Sequence, residues 1–224
     1  MGNIIRNLDG SVLTGALLSV IPALICITFH ELAHGYTAYR LGDPTAKDMG
    51  RLTLNPIRHI DIFGLVLMLL FKFGWAKPVP VNMYNFKKPK RYMAITAVAG
   101  PLSNLALSVV VLFIYGLIYA PILRKGVGGA WFKVLETFEN TAYISVALAV
   151  FNLLPIPPLD GSKVLFSFFP ESAYYKLMRY ERYGMIVLIL VMVSGVFSRT
   201  IGQLTYTLFS RLSSVAQFAY DLVN

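Results

Sequence analysis

Residues 10 to 29 of this 224-residue chain carry no charge and run directly into His30-Glu31-Leu32-Ala33-His34. About 20 uncharged residues suffice to cross a hydrocarbon core as a helix. Ionisable groups at such depth cost roughly 2.5–3.5 kcal/mol or more each in the charged types, so three of them within five residues mark a site. Positions i and i+4 lie one above the other on a helix, so His30 and His34 can offer two imidazole nitrogens to one metal ion while Glu31 stands beside them as a general base. Zinc suits imidazole ligands, and a catalytic zinc keeps three protein ligands and one open position. The competing explanation is packed or hydrogen-bonded helix histidines whose spacing arose by chance. The chain has only three histidines, and two of them fall here.

With 56% hydrophobic and 14% charged residues, the chain belongs among multi-span membrane proteins. Four uncharged stretches are long enough, or nearly so, to span: residues 10–29, 92–123, 140–159 and 183–198. A fifth, 62–71, is too short. The first is read as a retained helix rather than a cleaved signal peptide, since cleavage would discard the histidine motif. Cys26, the sole cysteine, excludes an internal disulfide and reads as a small buried residue rather than a ligand. The net charge of +9 is spread over loops between apolar segments with no nucleic-acid module, so the expected partner is an anionic membrane surface.

Two histidines leave a catalytic zinc one protein ligand short. Asp160 is the candidate, since it closes Asn152-Leu153-Leu154-Pro155-Ile156-Pro157-Pro158-Leu159-Asp160-Gly161 directly after an uncharged stretch. Prolines 155, 157 and 158 remove donors and clash with preceding carbonyls, so the helix should unwind there and turn Asp160 inward. The alternative is a plain Pro-rich loop at the membrane surface.

Together HELAH, AGPLSN at 99–104 and NLLPIPPLDG at 152–161 resemble the site-2 protease family of intramembrane zinc metalloproteases, over most of residues 20–165. The resemblance implies zinc on His30, His34 and Asp160, water activation by Glu31, and a role for Asn152 in orienting or polarising the scissile carbonyl. Gly100 and Asn104 match the family's G-x-x-x-N element near the active site, which implies them as substrate-binding residues. Close helix packing at Gly100 and a buried hydrogen bond of Asn104 explain that element equally well. The length leaves no room for an appended PDZ or CBS domain, which puts domain-sensed regulation in doubt. Implied is an endopeptidase for transmembrane protein or peptide substrates. A metal-ion transporter or a silent membrane scaffold is the rival, although a transporter leaves Glu31 unexplained and the two related halves usual in transporters are absent.

If His34 and Asp160 bind one ion, the chain must cross the bilayer an even number of times between them. Residues 92–123 and 140–159 give two crossings, so 62–71 should be re-entrant or interfacial; ten residues make a helix of about 15 Å against a core of about 30 Å. That arrangement places fourteen of the twenty lysines and arginines, Lys87, Lys88, Lys90 and Arg91 among them, on the active-site side. The positive-inside rule then makes that side cytoplasmic and the N-terminus external, in the cell membrane. Around the short segment, residues 50–56 and 78–84 alternate apolar and polar with prolines placed as on edge strands, so they could form a small sheet. A substrate unwound for cleavage could add to it as a strand, with Val79 and Val81 as contact residues. The alternative is loop covering the site. Trp75 and Tyr84 suit the membrane interface. His59 reads as a surface or hydrogen-bonded residue rather than a ligand. Ile201, Leu204, Leu208, Leu212 and Val215 recur at helical spacing, which predicts an interfacial or bundle-packed helix. The expected fold is thus an all-α polytopic bundle of about four spans with a re-entrant segment, a small β element and a C-terminal helix. It forms a single domain over 1–224, with a core at 10–165 and C-terminal helices within 180–222.

Overall fold

The computed structural model describes residues 10–64, 76–124, 128–196 and 198–224. In chain order, α1 is Gly10–Arg40, α2 Thr45–Asp48, α3 Pro89–Arg124, α4 Gly129–Asn152, α5 Asp160–Phe166, α6 Glu171–Tyr180, α7 Gly184–Ser194, α8 Ser198–Leu212 and α9 Ser214–Asp221. Helix α3 is the hub, with α1, α4, α5 and α9 packed against it. Val111 and Leu112 of α3 and Ala142 of α4 form one buried cluster, covered by Phe138, Phe209, Leu212 and Val215. Close approach there requires Gly116, since a Cβ on it would meet the Ala216 carbonyl oxygen at 2.1 Å.

Among the described residues two helices, α3 and α4, are long and apolar enough to cross a membrane; a third crossing is available if α7 and the 198–221 helical run count as one span bent by 87°. Large apolar side chains face outward on these elements, as Val110 does at 54% exposure and Leu190 at 66%. Water would penalise such surfaces and lipid would not.

Three sequence boundaries move. Helix α1 continues past its uncharged stretch to Arg40. Helix α4 starts at Gly129, so its first turns carry Lys133, Glu136 and Glu139, and it stops at Asn152 before the prolines. The stretch 183–198 is interrupted at Gly195, whose φ of 68° is left-handed backbone that glycine adopts freely. Beyond it, Leu212 and Val215 pack into the bundle, but Leu204 is exposed and Thr205 is buried in its place.

Among the described residues no β-strand forms; a single antiparallel bridge joins Ile60 to Ala76. The alternating segments serve other ends. Asn55 and Asn82 cap short 3₁₀ turns at Pro56–His59 and Met83–Asn85, and Pro78 and Pro80 have no N–H to give a ladder. Most of the 62–71 segment, together with Trp75, lies outside the described residues.

Candidate metal centre

Helix α1 delivers His30 and His34 one turn apart, with ring centroids 4.5 Å apart and planes at 89°. Asp160 reaches the histidines by a local device at the end of α4. The prolines end α4, residues 153–159 turn back, and α5 begins at Asp160. Gly161 makes that reversal possible, because a Cβ on it would lie 2.2 Å from the Leu153 carbonyl oxygen. Asp160 Oδ2 then sits 3.2 Å from His30 Nε2 and 3.0 Å from His34 Nε2, while the two Nε2 atoms are 3.0 Å apart.

All three residues are buried. No N–H is directed at Asp160 Oδ2, so it has no hydrogen-bond partner despite its two nitrogen neighbours. A buried carboxylate oxygen without a donor is costly unless a cation meets it. Ligands on a tetrahedral zinc at about 2.0–2.2 Å stand roughly 3.3 Å apart, close to the spacing observed. The donor set therefore fits one zinc ion.

Helix α3 shapes the floor under the imidazoles. His34 Nδ1 lies 2.7 Å from the Thr96 carbonyl oxygen, and Asn104 Nδ2 lies 3.3 Å from His30 Nδ1. Between them Gly100 is indispensable, since a Cβ there would sit 2.3 Å from His34 Nε2 and 2.6 Å from His30 Cε1. Gly100 and Asn104 thus touch the histidine rings and do not line the cavity.

That cavity, of about 610 Å³, opens beside the triad and is lined among others by Glu31, Asn152, Val79, Val81 and Lys163. Glu31 Oε2 accepts a hydrogen bond from the Val79 backbone N–H at 2.6 Å. Asn152 donates from Nδ2 to the Leu148 carbonyl at 3.0 Å, so its amide is turned back along its own helix.

Elsewhere, Cys26 is fully buried and donates to the Thr141 carbonyl at 3.4 Å. His59 is also buried, with Nε2 2.9 Å from the Thr53 carbonyl oxygen, so its reading as hydrogen-bonded stands and a surface place does not. Two contributors escaped sequence reasoning. Thr96 acts through its backbone, which leaves no side-chain signal. Lys163, with Nζ 3.9 Å from Asp160 Oδ1 and 3.6 Å from Glu181 Oε1, was visible as a charge three residues along from Asp160.

Comparison with known proteins gives a consistent answer. The model of Peptidase family M50 matches residues 18–196. The chain is 42% identical over 176 residues to the "Putative zinc metalloprotease YwhC" of Bacillus subtilis, spanning 78% of this chain and 80% of that one. It is 27% identical over 200 residues to the "Putative zinc metalloprotease Rip2" of Mycolicibacterium smegmatis, covering 87% and 74% of the two chains. It is also 35% identical over 150 residues to the "Putative zinc metalloprotease MJ0611" of Methanocaldococcus jannaschii, covering 66% and 69%. No solved structure matches. The chain belongs to peptidase family M50.

Proposed function

We propose that this member of peptidase family M50 is a zinc endopeptidase that cuts peptide bonds within or near transmembrane segments of membrane-protein substrates. The observation that carries the reading is the convergence of His30, His34 and Asp160, drawn from the two ends of the motif-bearing region, on one buried point. These three residues hold the ion. Zinc supplies the Lewis acidity that makes a water nucleophilic near neutral pH.

The remaining chemistry belongs to side chains of the same cavity. Glu31 takes the proton of the attacking water and returns it to the leaving amine nitrogen. The Val79 N–H on Oε2 fixes that carboxylate and leaves Oε1 for the proton. Asn152 swings its amide from the Leu148 carbonyl toward the scissile carbonyl, where negative charge develops in the transition state. A helical substrate hides its peptide bonds in its own hydrogen bonding, so it must unwind first; residues 78–82 then receive it as an added strand and form the small β element, with Val79 and Val81 as alternate contacts.

The remaining topology follows from the shared ion. Helix α1 provides a crossing, α3 and α4 two more and the C-terminal pair a fourth, with 62–71 re-entrant and residues 1–224 forming one domain. The active site faces the cytoplasm and anionic headgroups, with the N-terminus outside. The test is cleavage of a model transmembrane peptide by the detergent-solubilised protein. Cleavage should cease with a zinc chelator, and Glu31→Gln should abolish it while zinc stays bound; proteolysis retained by Glu31→Gln would overturn the assignment.

A further inference from the structure

We propose that Asn104 fixes the tautomer of His30, presenting Oδ1 to the His30 Nδ1–H so that Nε2 is free to bind metal; the inference rests on the zinc reading above. The two imidazoles are supported differently. His34 Nδ1 faces the Thr96 carbonyl at 2.7 Å. A carbonyl only accepts, so Nδ1 carries the proton and Nε2 keeps its lone pair for the centre. His30 Nδ1 faces Asn104 Nδ2 at 3.3 Å. An amide nitrogen only donates, which would leave the His30 proton on Nε2, the nitrogen that has to bind the metal. A protonated nitrogen cannot bind a metal.

The other end of the same amide resolves the conflict. Asn104 is fully buried, and its Oδ1 has no hydrogen-bond partner. A buried acceptor left empty is destabilising. A half-turn about the Cβ–Cγ bond exchanges Oδ1 and Nδ2 within the same space. Oδ1 then accepts from His30 Nδ1–H. The ring proton then sits on Nδ1, and Nε2 keeps its lone pair for the metal, as at His34.

The placement of Asn104 is built rather than incidental. Thr96, Gly100 and Asn104 are spaced by four along α3, so one stripe of one helix supplies an acceptor for His34, the gap for both rings and an acceptor for His30. Ser145 of α4 donates to the Asn104 carbonyl at 2.7 Å and ties that turn to the neighbouring helix. Asn104 is thus a positioning residue that acts through His30.

The experiment is zinc affinity of the full-length detergent-solubilised protein by chelator competition, with helicity and elution volume recorded alongside. Asn104→Leu keeps the volume and loses the acceptor, and zinc should bind roughly 10- to 100-fold more weakly; Asn104→Asp keeps an acceptor and should stay much nearer to wild type. Wild-type affinity in a folded Asn104→Leu overturns the proposal, as does an equal loss in both variants, which packing alone would explain. If Asn104→Leu does not fold, ¹⁵N-histidine spectra of the zinc-loaded wild type decide. A slowly exchanging, hydrogen-bonded Nδ1–H on both ligand rings supports the proposal, and a freely exchanging Nδ1–H on His30 overturns it. Wild-type protein that fails to bind zinc overturns the zinc reading as well, whereas zinc-binding wild type beside an unaffected Asn104→Leu overturns this inference alone.

Discussion

Gly100 shows how one missing methyl group can define a metal site. In an isolated helix, alanine would be preferred over glycine by about 1 kcal/mol, yet α3 keeps glycine at the point where both imidazoles descend on it. An alanine Cβ would lie 2.3 Å from His34 Nε2, well inside contact distance, and the obstacle is a rigid ring already fixed to Thr96. Gly100→Ala should therefore leave the helical content of the protein unchanged or slightly raised. Zinc affinity and peptide cleavage should both fall, by at least about tenfold; far-ultraviolet circular dichroism beside chelator competition checks the split. Asn152 belongs to the opposite class, because it touches no ligand and lines the cavity. Asn152→Ala should leave zinc binding intact and lower kcat with little change in KM, as expected for a group that acts in the transition state; steady-state kinetics on a model transmembrane peptide checks it.

The residues just before α3 are held by buried charge. Asp43, at 0% exposure, accepts hydrogen bonds from the Thr45 N–H and hydroxyl, the Asn82 N–H and the Asn85 amide. It thereby pins the far end of the Val79–Val81 segment to the end of α1. Burial alone would raise its pKa, but the donors from Thr45, Asn85 and Asn82 outweigh it and hold the carboxyl below the ordinary value. A folded-state pKa below the unfolded one gives stability that is fully present above about pH 3.9 and is lost as pH falls through the folded value. Asp43→Asn should lower Tm by roughly 5 °C at neutral pH, and the gap from wild type should close as pH falls below the ordinary carboxylate range; thermal scans at several pH values check this. No sequence pattern announced this element. Alternation over 78–84 was legible and suggested strands, yet the donors there go to Glu31 and Asp43 carboxylates, partners 48 and 39 residues away that a local period cannot register. The helices of the bundle were legible because lack of charge over 20 or more residues has few other solutions in lipid. Their ends were less so: α4 reaches back to Gly129 through three charged residues because a helix outlasts the hydrocarbon it crosses. His30, His34 and Asp160 were legible through motif spacing and proline placement, whereas Thr96 was not, since any residue offers a carbonyl.

For the molecule as a whole, the proposed shared ion would tie distant parts of the chain to one side of the bilayer. Helix α1 ends near the centre and α5 begins at it, so on that proposal α3 and α4 together return the chain to the side it left. On the proposed topology, the start of α4 at Gly129 stands on the opposite side of the bilayer from the start of α3 at Pro89. Cysteine chemistry can test this directly, because Cys26, the only cysteine, is fully buried. The native protein should resist a membrane-impermeant maleimide. Tyr84 is 81% exposed in the connection before α3, and Trp131 is 48% exposed in the first turn of α4. With the basic residues gathered around Lys87 to Arg91, the positive-inside rule predicts that Tyr84→Cys labels only from the cytoplasmic side, in inverted vesicles, and Trp131→Cys only from outside, in intact cells. Labels exchanged between the two preparations would invert the orientation and keep the crossing count. Both positions labelling from one side would remove the even number of crossings between His34 and Asp160, and with it the reason for holding 62–71 out of the spanning set.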